Sequence, residues 1–198
     1  MLTRPLPHAI VISGVSGCGK STIGALLAKR LNRPFLDADD YHPAANIQKM
    51  ATGTPLEDTD RWPWLDAVSE ALTSTPCILA CSALKRSHRD RLRQHSPDAL
   101  FVQLGAPPDE ISQRLTSRTN HFMAPALLAS QLSAWEPLHP NEHGFTVDAS
   151  THPDIVIREI EKSLLKEPIP KPPSGRTSTL PGPRSTRRQA SPTTREGC

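Results

Sequence analysis

The chain has 198 residues and a formal net charge of +3, room for one domain with a sizeable core and too little for two ordinary ones. From Lys166 onward seven Lys or Arg face two acids, a sum of +5, so the residues before it sum to −2; the basic total therefore gives no reason to expect a nucleic-acid partner. No apolar run is long enough to span a bilayer, and Cys18, Cys77, Cys81 and Cys198 lack framework spacing, which points to a cytoplasmic protein with reduced, buried thiols and no metal site at Cys77 and Cys81.

In chain order, residues 8–13 (HAIVIS) read as a buried strand that runs straight into a glycine loop, rather than as part of a signal peptide. Residues 21–31 have helical spacing, and 33–40 (RPFLDADD) form a short strand ending in acids. Helices are predicted over 43–51 and 61–74, then a strand over 77–84 with Cys77 and Cys81 on one face. A charged helix over 85–95 precedes a strand over 100–106. Pro107 and Pro108 open a helix that runs to about Arg118. A helix near 125–135, a last strand over 145–150 and a last helix over 152–166 complete the pattern. Such alternation predicts an α/β fold, a parallel sheet covered by helices on both faces. From Glu167 the text turns to Pro, Ser, Thr and Arg, too poor in apolar surface to offset its ordering entropy. The expected division is a folded domain over 1–166 and a disordered basic tail over 167–198, whose partner is unknown. Its PIPKPP piece leaves open a polyproline contact, and its final Glu-Gly-Cys is neither a prenylation box nor a peroxisomal address.

Residues Gly14, Val15, Ser16, Gly17, Cys18, Gly19, Lys20 and Ser21 spell G-x-x-x-x-G-K-S in full. Glycines let successive backbone N–H groups converge on phosphate oxygens, and a helix starting at Lys20 points its positive end at the same anion. Lys20 is placed to reach β- and γ-phosphates, Ser21 to hold Mg²⁺, and Thr22 completes the nucleotide-binding run. Cys18, near a helix N-terminus, is also a candidate reactive thiol.

Three classes use such a loop. A switch GTPase needs an Asn-Lys-x-Asp box, which is absent, and a motor needs an apolar strand ending in an acid, whereas the strand at 78–82 ends in Ala-Cys-Ser. The acids instead follow the second strand, as Asp37 and Asp39. Strand ends of a parallel sheet line one crevice, and alternation gives these two carboxylates the same side if the strand persists. One is suited to Mg²⁺, the other to an acceptor hydroxyl's proton. A small-molecule kinase is the expected class.

Further residues carry a resemblance. The run Asp39–Met50 (DDYHPAANIQKM), then Gly53–Leu56, Asp58 and Asp60–Leu65 (DRWPWL), with 81–93 (CSALKRSHRDRLR) and 118–131 (RTNHFMAPALLASQ), resembles the gluconokinases from about Ile10 to Leu164. These are P-loop kinases that transfer the γ-phosphate of ATP to the 6-hydroxyl of D-gluconate. The resemblance implies a P-loop NTPase fold like that of shikimate kinase: three layers, a five-stranded parallel sheet and a short lid. It also implies ATP and Mg²⁺, a small-molecule partner with neither nucleic acid nor membrane, and a homodimer.

On that resemblance Asp39 positions or deprotonates the hydroxyl, Asp37 and Ser21 organise the metal, and Arg118 closes over the phosphoryl group. Arg61 offers a planar fork for the gluconate carboxylate, or simply pairs with Asp58. His42 bonds a gluconate hydroxyl or fixes the acidic turn; Asn46 and Lys49 touch substrate or face solvent. Lys85 faces the anionic crevice or lies on a basic helix surface beside Arg89. Arg114 stacks on the adenine or favours its helix terminus. Trp62 and Trp64 stack on a sugar or close the core. His88 departs from the usual family Tyr, which puts a direct substrate role there in doubt. A kinase for another small hydroxy acid such as shikimate, and a non-catalytic nucleotide-binding module, are the rival readings.

Overall fold

In β1 (Ala9–Ser13), Ile10 and Ile12 join one apolar cluster, while Ala9 and Val11 join another, as successive side chains of a strand must. A strand buried on both faces needs cover on both. The structure, a computed structural model, describes residues 5–116 and 125–167. Within them β1 is followed by α1 (Lys20–Leu31), β2 (Phe35–Asp37), a 3₁₀ turn (Ala38–Tyr41), α2 (Ala44–Ala51), α3 (Asp58–Ala71) and β3 (Cys77–Ala80). Then come α4 (Arg86–Arg93), β4 (Leu100–Gly105), α5 (Pro108–Thr116), α6 (Pro125–Ala134), β5 (Gly144–Asp148) and α7 (Pro153–Leu164).

The strands form one parallel five-stranded sheet in the order β2-β3-β1-β4-β5. The Ile10 side is covered by Ile23 and Leu27 of α1, Ile111 of α5 and Val156, Ile157 and Ile160 of α7. The Val11 side is covered by Trp64, Leu65 and Val68 of α3 and Leu92 of α4. This is the expected three-layer α/β/α arrangement. Cys77 and Cys81 share the Val11 side as the alternation predicts, and burial pushes the Cys81 thiol up to about 12. Because β1 is central and its neighbours β3 and β4 lead to opposite edges, a crevice opens at the carboxyl ends of these strands.

Several local differences from the expected elements have physical reasons. α3 starts at Asp58, not Arg61: the Asp60 carboxylate accepts the Glu57 N–H at 2.7 Å, and acids in the first turn suit the positive helix end. The helix runs through Pro63. The charged helix α4 is not a surface helix on every side, since His88, Arg89 and Leu92 are buried. Arg89 is 0% exposed, with Nε and Nη2 donating to the Glu142 carboxylate at 2.7 and 2.8 Å and Nη1 to the carbonyls of Leu84 and Glu136. Burial alone would raise the Glu142 carboxyl, but hydrogen bonds from Arg89, the His139 N–H and Arg93 outweigh it and bring it down to about 2. This network pins the segment between α6 and β5 against α4.

Candidate active site

The loop between β1 and α1 keeps its shape through its glycines. Gly14 sits at φ 141° and a Cβ there would lie 2.8 Å from the Leu104 carbonyl oxygen; Gly17 sits at φ 84° with Leu115 Cγ 2.7 Å from the same virtual atom. Any side chain at either position would be strained and crowded. The Gly14 N–H donates to the Ser82 carbonyl just beyond β3, which ties the loop to the neighbouring strand end. Cys18 points inward and is 1% exposed, so its packing in the Ile10 cluster shields the thiol that its position had marked as reactive.

Two cavities flank this loop. The first, of about 360 Å³, is lined by Ser16 and Lys20 of the loop region, Asp39, His42, Arg61, Ser82, and Gln131 of α6 among others. The second, of about 330 Å³, is lined by Gly17, Cys18, Gly19, Thr22 and Arg114, with Thr151 and Pro153 at the start of α7. The loop therefore separates one chamber with cations, a carboxylate and an imidazole from another closed by Arg114.

Asp37 and Asp39 do not share a strand face. β2 ends at Asp37, and its carboxylate accepts both the Ser21 hydroxyl at 2.8 Å and the Asp39 N–H at 3.1 Å. The chain then turns as a 3₁₀ helix, because a carboxylate capping the backbone N–H two residues on favours a turn over extended chain. Asp39 instead projects into the first cavity with its side chain 72% exposed. The Ser21 hydroxyl and Asp37 carboxylate make a pair of hard oxygen donors beside the phosphate loop, a set that fits Mg²⁺, which takes few protein ligands. Among the described residues no cluster of three or more His, Cys, Asp or Glu could form an all-protein metal cage.

Arg61 lies 3.7 Å from Asp58, the pairing that one of its expected readings gives it, and it also lines the first cavity. Burial lowers its pKa, opposed by Asp58 and Asp60. Lys85 lies elsewhere: its ammonium holds both Asp58 oxygens at 2.8 and 3.0 Å, and it is not among the residues lining that cavity. Asn46 and Lys49 are likewise engaged within the protein, Asn46 with the Asp60 carbonyl and Lys49 with the Asp60 carboxylate. Trp64 is buried in the core and donates its indole N–H to the Ala38 carbonyl at 2.7 Å. His88 is buried, bonded to Asp58 at 3.2 Å and edge-on to Trp62, and it is not among the residues lining the first cavity. Arg118 lies outside the described residues, as does the segment expected to form the lid.

The family model described as "Shikimate kinase" matches residues 16–164. A gluconokinase of Gluconobacter oxydans (strain 621H) is 41% identical over 166 residues, covering 81% of this chain and 93% of its own. The chain belongs to the gluconokinase family. A crystal structure of a gluconokinase from Sinorhizobium meliloti 1021 superposes with a TM-score of 0.76 at 40% identity, covering 82% of this chain and 94% of that one. A shikimate kinase from Acinetobacter baumannii, solved with shikimate, matches at a TM-score of 0.54 and 22% identity, which speaks for the shared fold alone. As a gluconokinase the chain is a P-loop phosphotransferase that uses ATP.

Two features of this gluconokinase site escape a reading of the sequence. Gln131 reaches the phosphate loop from 115 residues away; the motif run 118–131 contains it, but no spacing rule assigns it a contact. Asp58, read only as a possible partner for Arg61, gathers Lys85 and His88 as well.

Proposed function

We propose that the chain is an ATP:D-gluconate 6-phosphotransferase. One observation carries the reading: a single cavity beside the phosphate loop is lined by Lys20, Asp39 and Arg61 together. That is a cation for the transferring phosphate, a carboxylate for the attacking hydroxyl and a guanidinium for a substrate carboxylate. A sugar acid presents the matching anion and hydroxyls at its two ends.

In this reading the loop amides and Lys20 hold the β- and γ-phosphates, with Lys20 leaving its resting contact on the Val15 carbonyl. The base and ribose lie on the Arg114 side of the loop. Arg61 binds the gluconate carboxylate and leaves the 6-hydroxyl near Asp39, which orients it and accepts its proton. The new bond forms between the 6-oxygen and the γ-phosphorus as the bond to the ADP oxygen breaks. Ser21 and Asp37 would hold Mg²⁺, which supplies charge neutralisation across the phosphates. Arg118 completes the cation set around the phosphoryl group, and His42 bonds an acceptor hydroxyl from the cavity wall. The same reading places the enzyme in the cytoplasm as a homodimer, with the tail from Glu167 dispensable for turnover.

Asp39→Ala and Lys20→Ala test the assignment directly. Each is expected to lower kcat about 10²-fold or more, the scale of losing one transition-state contact. A folded Asp39→Ala enzyme with near-normal turnover would remove Asp39 from the chemistry.

A further inference from the structure

Gln131 of α6 contacts the phosphate loop through both ends of its amide. Its Oε1 accepts the Ser16 N–H at 2.7 Å, and its Nε2 donates to Ser16 Oγ at 3.3 Å. A backbone N–H can only donate, so this pair fixes which way the amide points. Both residues line the first cavity. Lys20 is also engaged, its ammonium donating to the Val15 carbonyl at 3.0 Å. The loop's cation and one of its amides are thus satisfied by the protein itself.

A nest of loop N–H groups is what binds phosphate. Ser16 lines the first chamber together with Lys20, Asp39 and Arg61, whereas Gly17 and Gly19 line the second. A terminal phosphoryl oxygen facing an acceptor in the first chamber would lie on the Ser16 side of the loop, where the Ser16 N–H is a donor within the loop. In this structure the Gln131 carbonyl oxygen already holds that donor.

The far end of α6 is anchored. The Glu136 N–H donates to the Leu84 carbonyl at 2.9 Å, the Glu136 carboxylate accepts the Arg86 N–H at 2.6 Å, and Gln103 Nε2 donates to the Glu136 carbonyl at 2.9 Å. Gln131 is presented to the loop from this fixed end, so a change of partner needs only side-chain rotation.

We propose that Gln131 is a positioning residue that exchanges partners as the substrates bind. It holds the Ser16 N–H in the nucleotide-free enzyme, yields it to the terminal phosphoryl group of ATP, and turns its amide to a hydroxyl of the polyol acceptor in the same cavity. The last step rests on the acceptor proposed above. The consequence is a coupling between the two substrates: the acceptor binds more tightly beside a triphosphate than beside a diphosphate, which leaves Gln131 on Ser16.

Gln131→Met tests this, since it keeps volume and helix propensity and removes both polar contacts. Calorimetric titrations use ADP, an ATP analogue with an imido bridge between the β- and γ-phosphorus, and D-gluconate in the presence of each. The variant is expected to bind the analogue roughly two- to tenfold more tightly than the parent, the worth of one hydrogen bond no longer displaced, with ADP affinity unchanged. The parent is expected to bind gluconate more tightly with the analogue than with ADP, and the variant to lose that difference. An unchanged analogue-to-ADP ratio together with unchanged gluconate coupling overturns the proposal, as does equal weakening of every ligand, the mark of a structural role. If gluconate binds beside neither nucleotide, the acceptor reading falls, while the analogue-to-ADP ratio still decides the exchange at Ser16.

Discussion

His42 stacks on Trp64 with ring centroids 4.2 Å apart and planes 14° apart. Trp64 is itself fixed by its bond to the Ala38 carbonyl, so the imidazole is held against the wall of the cavity. Asn46 Nδ2, which also donates to the Asp60 carbonyl, lies 3.4 Å from His42 Nδ1. An amide donor at Nδ1 leaves the proton of the neutral ring on Nε2, the nitrogen 3.9 Å from Asp39. His42 is thereby set up as a hydrogen-bond donor beside the carboxylate.

Burial lowers the His42 pKa; Asp39 raises it and Arg61 lowers it further, less strongly. A lowered folded value means that the unfolded chain binds the proton more readily. The stability tied to neutral His42 is therefore complete above about 6.5 and is lost as pH falls from there through the folded value. An NMR titration of the imidazole is expected to give a midpoint below 6.5. A midpoint above that value would contradict the packed, neutral donor.

Asp58 ties α3 to α4 by accepting from Lys85 and His88 while standing beside Arg61. The Lys85 hydrogen bond is the main reason its pKa is lowered. Asp58→Asn is expected to raise the KM for gluconate about tenfold, the scale of a bond to a charged group, with a smaller change in kcat. Steady-state kinetics check this split; an unchanged KM would show that Arg61 keeps its place without Asp58.

Arg89 and Glu142 form the buried pair on which the segment before β5 depends. Arg89→Met leaves a buried carboxylate with fewer donors and is expected to cost about 3 kcal/mol or more, part of it recovered when Glu142→Leu is added. The Glu142 carboxyl, near 2 in the folded chain against 4.5 normally, contributes roughly 3 kcal/mol. That contribution is present above pH 4.5 and is lost as pH falls toward 2. Urea unfolding across this range measures it; a parent and an Arg89→Met variant with the same acid dependence would refute the assignment.

The legible parts of this molecule are those that repeat or that a single local rule governs. Five apolar runs alternating with amphipathic ones gave the sheet and its two covering layers, and the phosphate loop is spelled by contiguous residues. Asp39 lines the crevice, but not through strand alternation: the strand stops at Asp37, whose side chain caps Asp39, and a cap competes with extended chain in a way that alternation cannot register. Arg89 reads as one more cation in a run of them, since its burial depends on Glu142, 53 residues away. Gln131 was invisible for the same reason, a long-range contact made by a residue type with many uses.

The account stands or falls on where the γ-phosphate goes. ADP release should be followed with Mg-ATP and D-gluconate, shikimate or no acceptor, and the product weighed by mass spectrometry. ADP release that requires D-gluconate, with 6-phosphogluconate formed, is the predicted result. Release that is indifferent to gluconate, or that requires shikimate instead, would contradict the assignment of the acceptor.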